Sequence, residues 1–451
     1  MTDTTPARVS RRAAERAVVV TSENASSPHA TSGSISVGPR GSLGPFTPVN
    51  PVTPVAPFTP FAPFASNGWP PRAALVVAIA AVFAKLALAL LTFGTNDVAA
   101  WMEFAWVIHQ KGGAFAYLKV SEFNHPPFIV HLLQLMGWLA DRNWLPFQFW
   151  MRLPAILADF GSFLVVYRIF AMRQGGPADR FSLVWLAAAP ISLFVSGFHG
   201  NTDPVMVFFL LVAVMWIDTP RGIGLAGAAF GMALNIKVVA LAFAPAAFFY
   251  LPSWSRRMKF FGAAAAVVLA GSMPVLAEAP EPILHNVLGY TSIVGHWGWT
   301  RIATALAGSP GIAHAAQAYG GWVLMAVLTA IAFLMNRGEA KPSLFRQFGL
   351  VAFAFLALTP GFGIQYLAWL VPWVVGIRRP AVSAFYVATG AFMFVVYTYW
   401  SRGTWWYANS DAVGDWKGFV IPFEIAAWIS VCVVLVWMAR AVTEERRPAI
   451  A

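Results

Sequence analysis

The chain has 451 residues, of which 58% are hydrophobic, 15% aromatic and only 11% charged, against about 25% charged in an ordinary soluble domain. That balance excludes a soluble globular enzyme and a wholly disordered chain alike. With about 20 apolar residues needed per span, it leaves a polytopic membrane protein. The net charge of +11 reads as the basic excess of cytoplasmic loops rather than as a nucleic-acid surface, and the single cysteine, Cys432, excludes an internal disulfide or a cysteine-based metal centre.

Residues 1–70 differ from the rest. The first forty are rich in Ser, Thr, Ala and Arg, and no run there has the length of a signal-peptide core. Pro45, Pro48, Pro51, Pro54, Pro57, Pro60 and Pro63 then recur at every third residue. Polyproline II has three residues per turn, so these prolines share one face of an extended spacer. A linker is favoured over a docking site for a proline-binding domain. Arg8, Arg11, Arg12, Arg16, Arg40 and Arg72 assign this disordered tail to the cytoplasm.

Apolar runs follow at about 73–93, 126–140, 150–170, 181–198, 204–218, 222–251, 260–277, 319–336, 345–358, 364–377, 381–400 and 420–440. Their lengths and lack of alternation predict helices. The basic stretches 168–180, 256–259, 337–346 and 378–379, with Arg440, Arg446 and Arg447, fall on the side of the N-terminus under two conditions. Residues 126–140, short and opened by Pro126-Pro127, must enter the membrane and return. Residues 222–251, too long for one span and polar at Asn235 and Lys237, must be a broken helix or hairpin. The expected fold is therefore an all-α transmembrane bundle of about twelve crossings with re-entrant and juxtamembrane helices. Residues 71–440 form the membrane domain and 441–451 a cytoplasmic tail.

That topology gathers polar groups on the outer side. The first outer loop holds Thr95-Asn96-Asp97, Glu103, His109, Glu122 and Asn124-His125, and the next holds His199-Gly200-Asn201-Thr202-Asp203. A long loop at about 278–318 carries Glu278, Glu281, His285, His296 and Arg301, and the last carries Arg402, Asp411, Asp415 and Lys417. Within the first loop, Trp101, Ala105 and Ile108 fall on one helical face, which predicts an interfacial helix over 98–108.

Each polar residue also has a plainer reading. Asp97 suits the N-cap of the helix after it, and Asp203 before Pro204 is the usual cap-and-proline pairing. Lys85, Arg152, Asp159 and Lys237 lie within apolar runs, where charges pair or face a cavity. Arg152 and Asp159, seven apart, share a helical face, and Lys85 or Lys237 also suits Asp159 as a partner. The alternative to a structural ion pair is a phosphate or proton site. No metal-ligand spacing, nucleotide loop or GxSxG is present.

Taken in order, these segments resemble a known family. They are the acidic motif ending the first span, the amphipathic helix and Pro-Pro segment, Leu157-Ala158-Asp159 with Arg168, Gly200-Asn201-Thr202-Asp203, Asn235-Ile236-Lys237, and Ile364-Gln365-Tyr366 through Trp369 and Pro372. Over about residues 73–380 the ordered set resembles the GT-C superfamily of integral-membrane glycosyltransferases. The nearest branch is the one holding the first mannosyltransferase of GPI-anchor synthesis and its bacterial relatives.

The resemblance implies a GT-C-like fold in the plasma membrane. It also implies inverting transfer of a sugar, mannose or a similar hexose, from a polyprenyl-phosphate carrier to a glycan or glycolipid acceptor at the outer face. Membrane lipids are then partners, nucleic acid is not, and no cofactor is expected. The family's outer motif is often Asp-x-Asp. Here Thr95-Asn96-Asp97 keeps only the second acid, which leaves the base position filled and weakens the case for a metal.

A phosphate leaving group needs no proton donor, so one carboxylate, Asp97, suffices as general base. Arg301, Arg402, Lys237, His199 and His296 are candidates to stabilise the departing phosphate. Glu103, His125, Asn201, Asp203, Gln365 and Tyr366 are candidates for the remaining substrate contacts. Two other classes stay open: a secondary transporter using the Lys237 break, and a non-catalytic subunit of a cell-envelope glycan complex.

Overall fold

The computed structural model describes residues 70–142, 145–173, 180–219, 221–289, 294–307, 311–338, 340–414 and 417–446. All of the described residues belong to one unit, within residues 58–451. The proline-rich segment, the stretch around residue 175, Asp415 and Arg447 lie outside the described residues.

This unit is helical, as the composition requires. Its helices are α1 (Arg72–Leu91), α2 (Asn96–Lys111), α3 (Gly113–Lys119), α4 (Phe128–Arg142), α5 (Phe147–Arg173), α6 (Arg180–Ala187), α7 (Pro190–Ser192), α8 (Asp203–Trp216) and α9 (Ile223–Ile236). Then come α10 (Ala244–Tyr250), α11 (Trp254–Leu276), α12 (Pro280–Leu288), α13 (Gly298–Ala307), α14 (Gly311–Met335), α15 (Leu344–Leu358), α16 (Arg379–Trp400), α17 (Ser410–Val413) and α18 (Ile421–Glu445). A π-helix, Leu193–His199, continues α7, and 3-10 helices occupy Val238–Phe243 and Ile364–Val374.

Seven helical stretches among the described residues are long and apolar enough to cross a membrane: 72–91, 147–172, 180–199, 254–276, 314–335, 379–400 and 421–445. The remaining apolar runs make shorter helices. One of these, α15, is buried along nearly its whole length, Arg346 and Gln347 included, which fits a helix that is otherwise apolar on all sides. The run at 364–377 is mostly 3-10 rather than α.

The stretch 222–251 is broken, as its polar centre predicts. α9 ends at Ile236, Lys237 is extended, and a 3-10 turn leads into α10. α9 is held against α11 by small residues: a Cβ at Gly227 would stand 2.1 Å from the Phe260 carbonyl, and one at Gly231 2.5 Å from that of Ala264. Such backbone approach is how membrane helices pack without a solvent-driven force.

The region expected as a long loop at 278–318 is instead occupied by α12, α13 and the start of α14. Glu281 and Arg301 sit in the first turns of α12 and α13 and His285 in the last turn of α12, while Glu278 and His296 lie between helices. The helix expected over 98–108 runs Asn96–Lys111, with Trp101, Ala105 and Ile108 buried on one face.

The charges within apolar runs resolve into pairs. Asp159 does not pair with Arg152. It accepts from Lys85 Nζ at 2.7 Å, from Ser196 Oγ at 2.5 Å, and from Ser192 Oγ. The two serines flank the start of the π-helix, so α1 and α5 fix that unusual turn between them. Arg152 caps the end of α1 instead. Its Nη1 donates to the carbonyls of Leu88 and Thr92, each at 3.2 Å, and its Nη2 to that of Phe93. Arg152 is wholly buried, and each buried carbonyl left unmet costs about 1–3 kcal/mol. Arg152→Met is therefore expected to destabilise the protein by about 3 kcal/mol or more, read as a lowered thermal midpoint in detergent. An unchanged midpoint would mean that water already serves those carbonyls.

A two-residue parallel pairing joins the ends of distant helices. β1 (Gly94–Thr95) pairs with β2 (Tyr407–Ala408), and the Trp406 carbonyl accepts from the amides of Phe93 and Gly94 at 2.9 and 3.1 Å. Ser410 Oγ donates to Asn96 Oδ1 at 3.1 Å. The segment after α16 thus straps the turn that carries Asp97.

Candidate active site

Asp97 stands in the first turn of α2, but it is not the cap. Thr95 is the N-cap residue, and its Oγ1 accepts from the Asp97 amide at 3.3 Å. Thr95 Oγ1 also donates to the His199 carbonyl at 2.9 Å. The turn is tight. Gly94 has φ +108°, and a Cβ there would lie 2.0 Å from Arg152 Nη2 and 2.6 Å from the Phe198 carbonyl. Gly200, at φ +81°, likewise has no room beside Val98. Glycine at both positions lets two motifs about a hundred residues apart meet backbone to backbone.

Their meeting leaves the Asp97 side chain free to bond across. His199 Nε2 lies 2.9 Å and Asn201 Nδ2 3.0 Å from Asp97 Oδ2. Tyr397 Oη lies 2.8 Å from His199 Nδ1. The chain of bonds is satisfied if Tyr397 Oη donates to Nδ1 and Nε2–H donates to the carboxylate. Both contacts fall on Oδ2, and no donor among the described residues takes Oδ1. The side chain is 31% exposed, and it lines a cavity of about 790 Å³. Burial pushes the Asp97 carboxyl up, but the facing His199, the Asn201 bond and Lys237 outweigh it and hold it at about 2.

Lys237 lines the same cavity. The break after α9 frees it from the helix, and its Nζ donates to both oxygens of Asp203 at 2.8 Å. Asp203, wholly buried, also accepts from Trp369 Nε1. Asp203 therefore does not act as the helix cap: α8 begins at Asp203 itself, with Thr202 as its cap residue. Lys237 Nζ lies 5.4 Å from the Tyr366 ring centroid and 5.9 Å from that of Trp369. The two rings stack at 4.4 Å, because residues three apart eclipse in a 3-10 helix. An ammonium facing paired aromatic rings is attracted to their π-faces.

Of the residues singled out in the sequence, Asp97, His125, Asn201, Lys237, Gln365 and Tyr366 line the cavity. His199 and Asp203 stand directly behind Asp97 and Lys237. Four lie elsewhere. Glu103 is exposed on α2 and Arg402 is exposed after α16. Arg301 pairs with the buried Glu424 at 2.7 Å, tying α13 to α18, and His296 does not line the cavity. Lys237 is the one cation on the lining among the described residues.

Sequence reading missed Tyr397, because nothing local marks one tyrosine in a long apolar helix. It also left Glu122 and Asn124 unassigned, although both line the cavity. Their signal was their place beside His125 in the same short polar segment. Apart from Gln317 and Thr359, the rest of the wall is apolar and comes largely from α2, α12 and α14. Leu288 and Trp322 belong to it while being 63% and 81% exposed, so the cavity opens between α12 and α14.

No family model matches the chain, and no curated protein matches it. Among solved structures the chain is similar to the crystal structure of ArnT from Cupriavidus metallidurans bound to undecaprenyl phosphate. The two share 12% identity with a TM-score of 0.41, over 83% of this chain and 76% of that one.

Proposed function

We propose that the protein is an inverting GT-C-type glycosyltransferase that takes a hexose, mannose by preference, from a polyprenyl-phosphate carrier. The observation that carries this reading is the Asp97 carboxylate. One oxygen is locked by His199 and Asn201, the other is open, and the group lines a cavity shared with an ammonium and a mostly apolar wall. The order of motifs along the chain supports the same reading.

In this mechanism the acceptor hydroxyl gives its proton to Asp97 Oδ1 as its oxygen forms a bond to the sugar's anomeric carbon. The bond from that carbon to the phosphate oxygen breaks on the opposite face, and polyprenyl phosphate leaves with the electron pair. Configuration is inverted in the single displacement. Lys237 has three N–H donors. Two are bonded to Asp203, and the third serves the departing phosphate, whose charge grows in the transition state. A carboxylate held near 2 is a weak base. An anionic donor bound nearby adds a like charge and raises its proton affinity towards the useful range. His199 and Tyr397 orient the carboxylate. The apolar opening between α12 and α14 suits a lipid carrier, since a donor of that kind reaches the site only from within the bilayer.

The test is a donor screen. Full-length protein in liposomes is given radiolabelled polyprenyl-phosphate sugars and a mixed glycan and glycolipid acceptor fraction. Transfer of label to an acceptor is the expected result. Movement of intact donor across the bilayer without transfer would favour a transporter built on the Lys237 break, and inert protein would favour a subunit role.

The site is proposed to face outward, with both termini in the cytoplasm. In a Cys432→Ser background, cysteine placed at exposed Glu122 or Gly403 is expected to react with an impermeant reagent outside the cell. Cysteine at exposed Arg221 or Lys341 is expected to be protected. The reverse pattern would invert the topology.

A further inference from the structure

The cavity contains charge that the transfer mechanism leaves unused. Its described lining has two carboxylates, Asp97 and Glu122, and one cation, Lys237. That cation is already bonded to both oxygens of Asp203. Glu122 belongs to a short segment with Asn124 and His125, and this segment is built rather than loose. Tyr117 Oη donates to the His125 carbonyl at 2.5 Å, and Asn286 Nδ2 donates to the Tyr117 carbonyl at 3.0 Å. The His125 ring stacks on Trp101 at 4.3 Å. Burial, with Lys237 nearby, pushes its imidazolium down to about 3, so His125 is neutral at cellular pH. It then offers one N–H donor and one acceptor rather than a positive charge.

We infer that Glu122, Asn124 and His125 form, beside Asp97, an acceptor subsite that takes an uncharged sugar and rejects one bearing a phosphate or carboxylate near the reacting hydroxyl. This rests on the glycosyltransferase reading. Sugar hydroxyls donate well to carboxylates, and a neutral amide and imidazole serve either sense of hydrogen bond. An anionic substituent meets two carboxylates instead. No free cation on the described lining compensates it, because Lys237 is engaged by Asp203 and by the donor phosphate. The donor's own negative charge adds to the repulsion. The acceptor is thus a neutral glycan, or a glycolipid whose charged group lies outside the cavity.

The experiment compares two probes on full-length protein in nanodiscs: a methyl mannobioside and the same compound phosphorylated at a hydroxyl next to the accepting one. Equilibrium binding and transfer from polyprenyl-phosphate mannose are both read. Wild type is expected to prefer the neutral probe by at least about tenfold in both measurements. Glu122→Lys is expected to bring the ratio to within about twofold, and Asn124→Asp to widen it. Both positions lie in a surface-accessible segment, and melting curves check that each variant is folded. Equal binding of the two probes by wild type, or an unchanged ratio in folded Glu122→Lys, would overturn the inference. Charge-selective binding with no transfer from any lipid-linked donor would support the subsite and remove the glycosyltransferase reading.

Discussion

Replacing Asp97 with asparagine is expected to leave the fold nearly intact and to slow sugar transfer by at least about 100-fold. The structure separates the two consequences. Thr95, not Asp97, caps α2. The Asp97 side chain instead accepts from His199 and Asn201 through one oxygen, and the amide oxygen of asparagine accepts the same two bonds. What is lost structurally is a negative charge near a helix N-terminus, worth about 0.3–1 kcal/mol. What is lost chemically is the proposed base, worth roughly 10²–10⁴ in rate. Glu103→Gln, an exposed position off the cavity, is expected to change the rate far less. A folded Asp97→Asn protein with near-wild-type turnover would remove Asp97 as the base.

The pH dependence follows from the same contacts. The Asp97 carboxyl is held at about 2, below its ordinary 3.8. The stability contributed by its ionised form is therefore fully present above about 3.8 and is lost as pH falls through about 2. Across the neutral range the group stays ionised. Without donor the group is ionised over that range, so a fall in kcat/KM between pH 7 and 5 is expected to arise from other groups, whereas kcat, which reports the donor complex, is expected to carry any titration of Asp97.

Lys237→Met is expected to be the most destabilising single change in the cavity, by about 3–5 kcal/mol. It strips a wholly buried carboxylate, Asp203, of its counter-charge, leaving only the Trp369 N–H. The informative variant is the double one. Lys237→Met with Asp203→Asn removes both charges, and the new amide oxygen still accepts from Trp369. Replacing both members of a buried pair is often close to neutral for stability. The double variant is therefore expected to recover most of the lost thermal stability while transfer stays depressed, because no ammonium remains for the phosphate. If activity returns together with stability, Lys237 holds the fold and takes no part in donor binding.

Composition and apolar periodicity were enough to establish a helical membrane protein, because the bilayer penalises every unsatisfied backbone group and leaves a helix as the simplest answer for an apolar run of that length. The break at Lys237 was legible for a related reason: a charge in the middle of an over-long apolar stretch cannot sit in a continuous lipid-facing helix. The buried face of α2 was legible because Trp101, Ala105 and Ile108 keep helical spacing. Which charges meet was not legible. Arg152 and Asp159 share a face of one helix, yet Asp159 pairs with Lys85 and Arg152 serves the end of α1. Asp97 and Asp203 have cap-like sequences, but each turned to a partner from a distant segment. Local sequence fixes spacing along one element, whereas a buried charge is satisfied by whatever group the packing of several elements delivers to it. The tertiary structure decided those pairings, and with them which polar residues share the cavity.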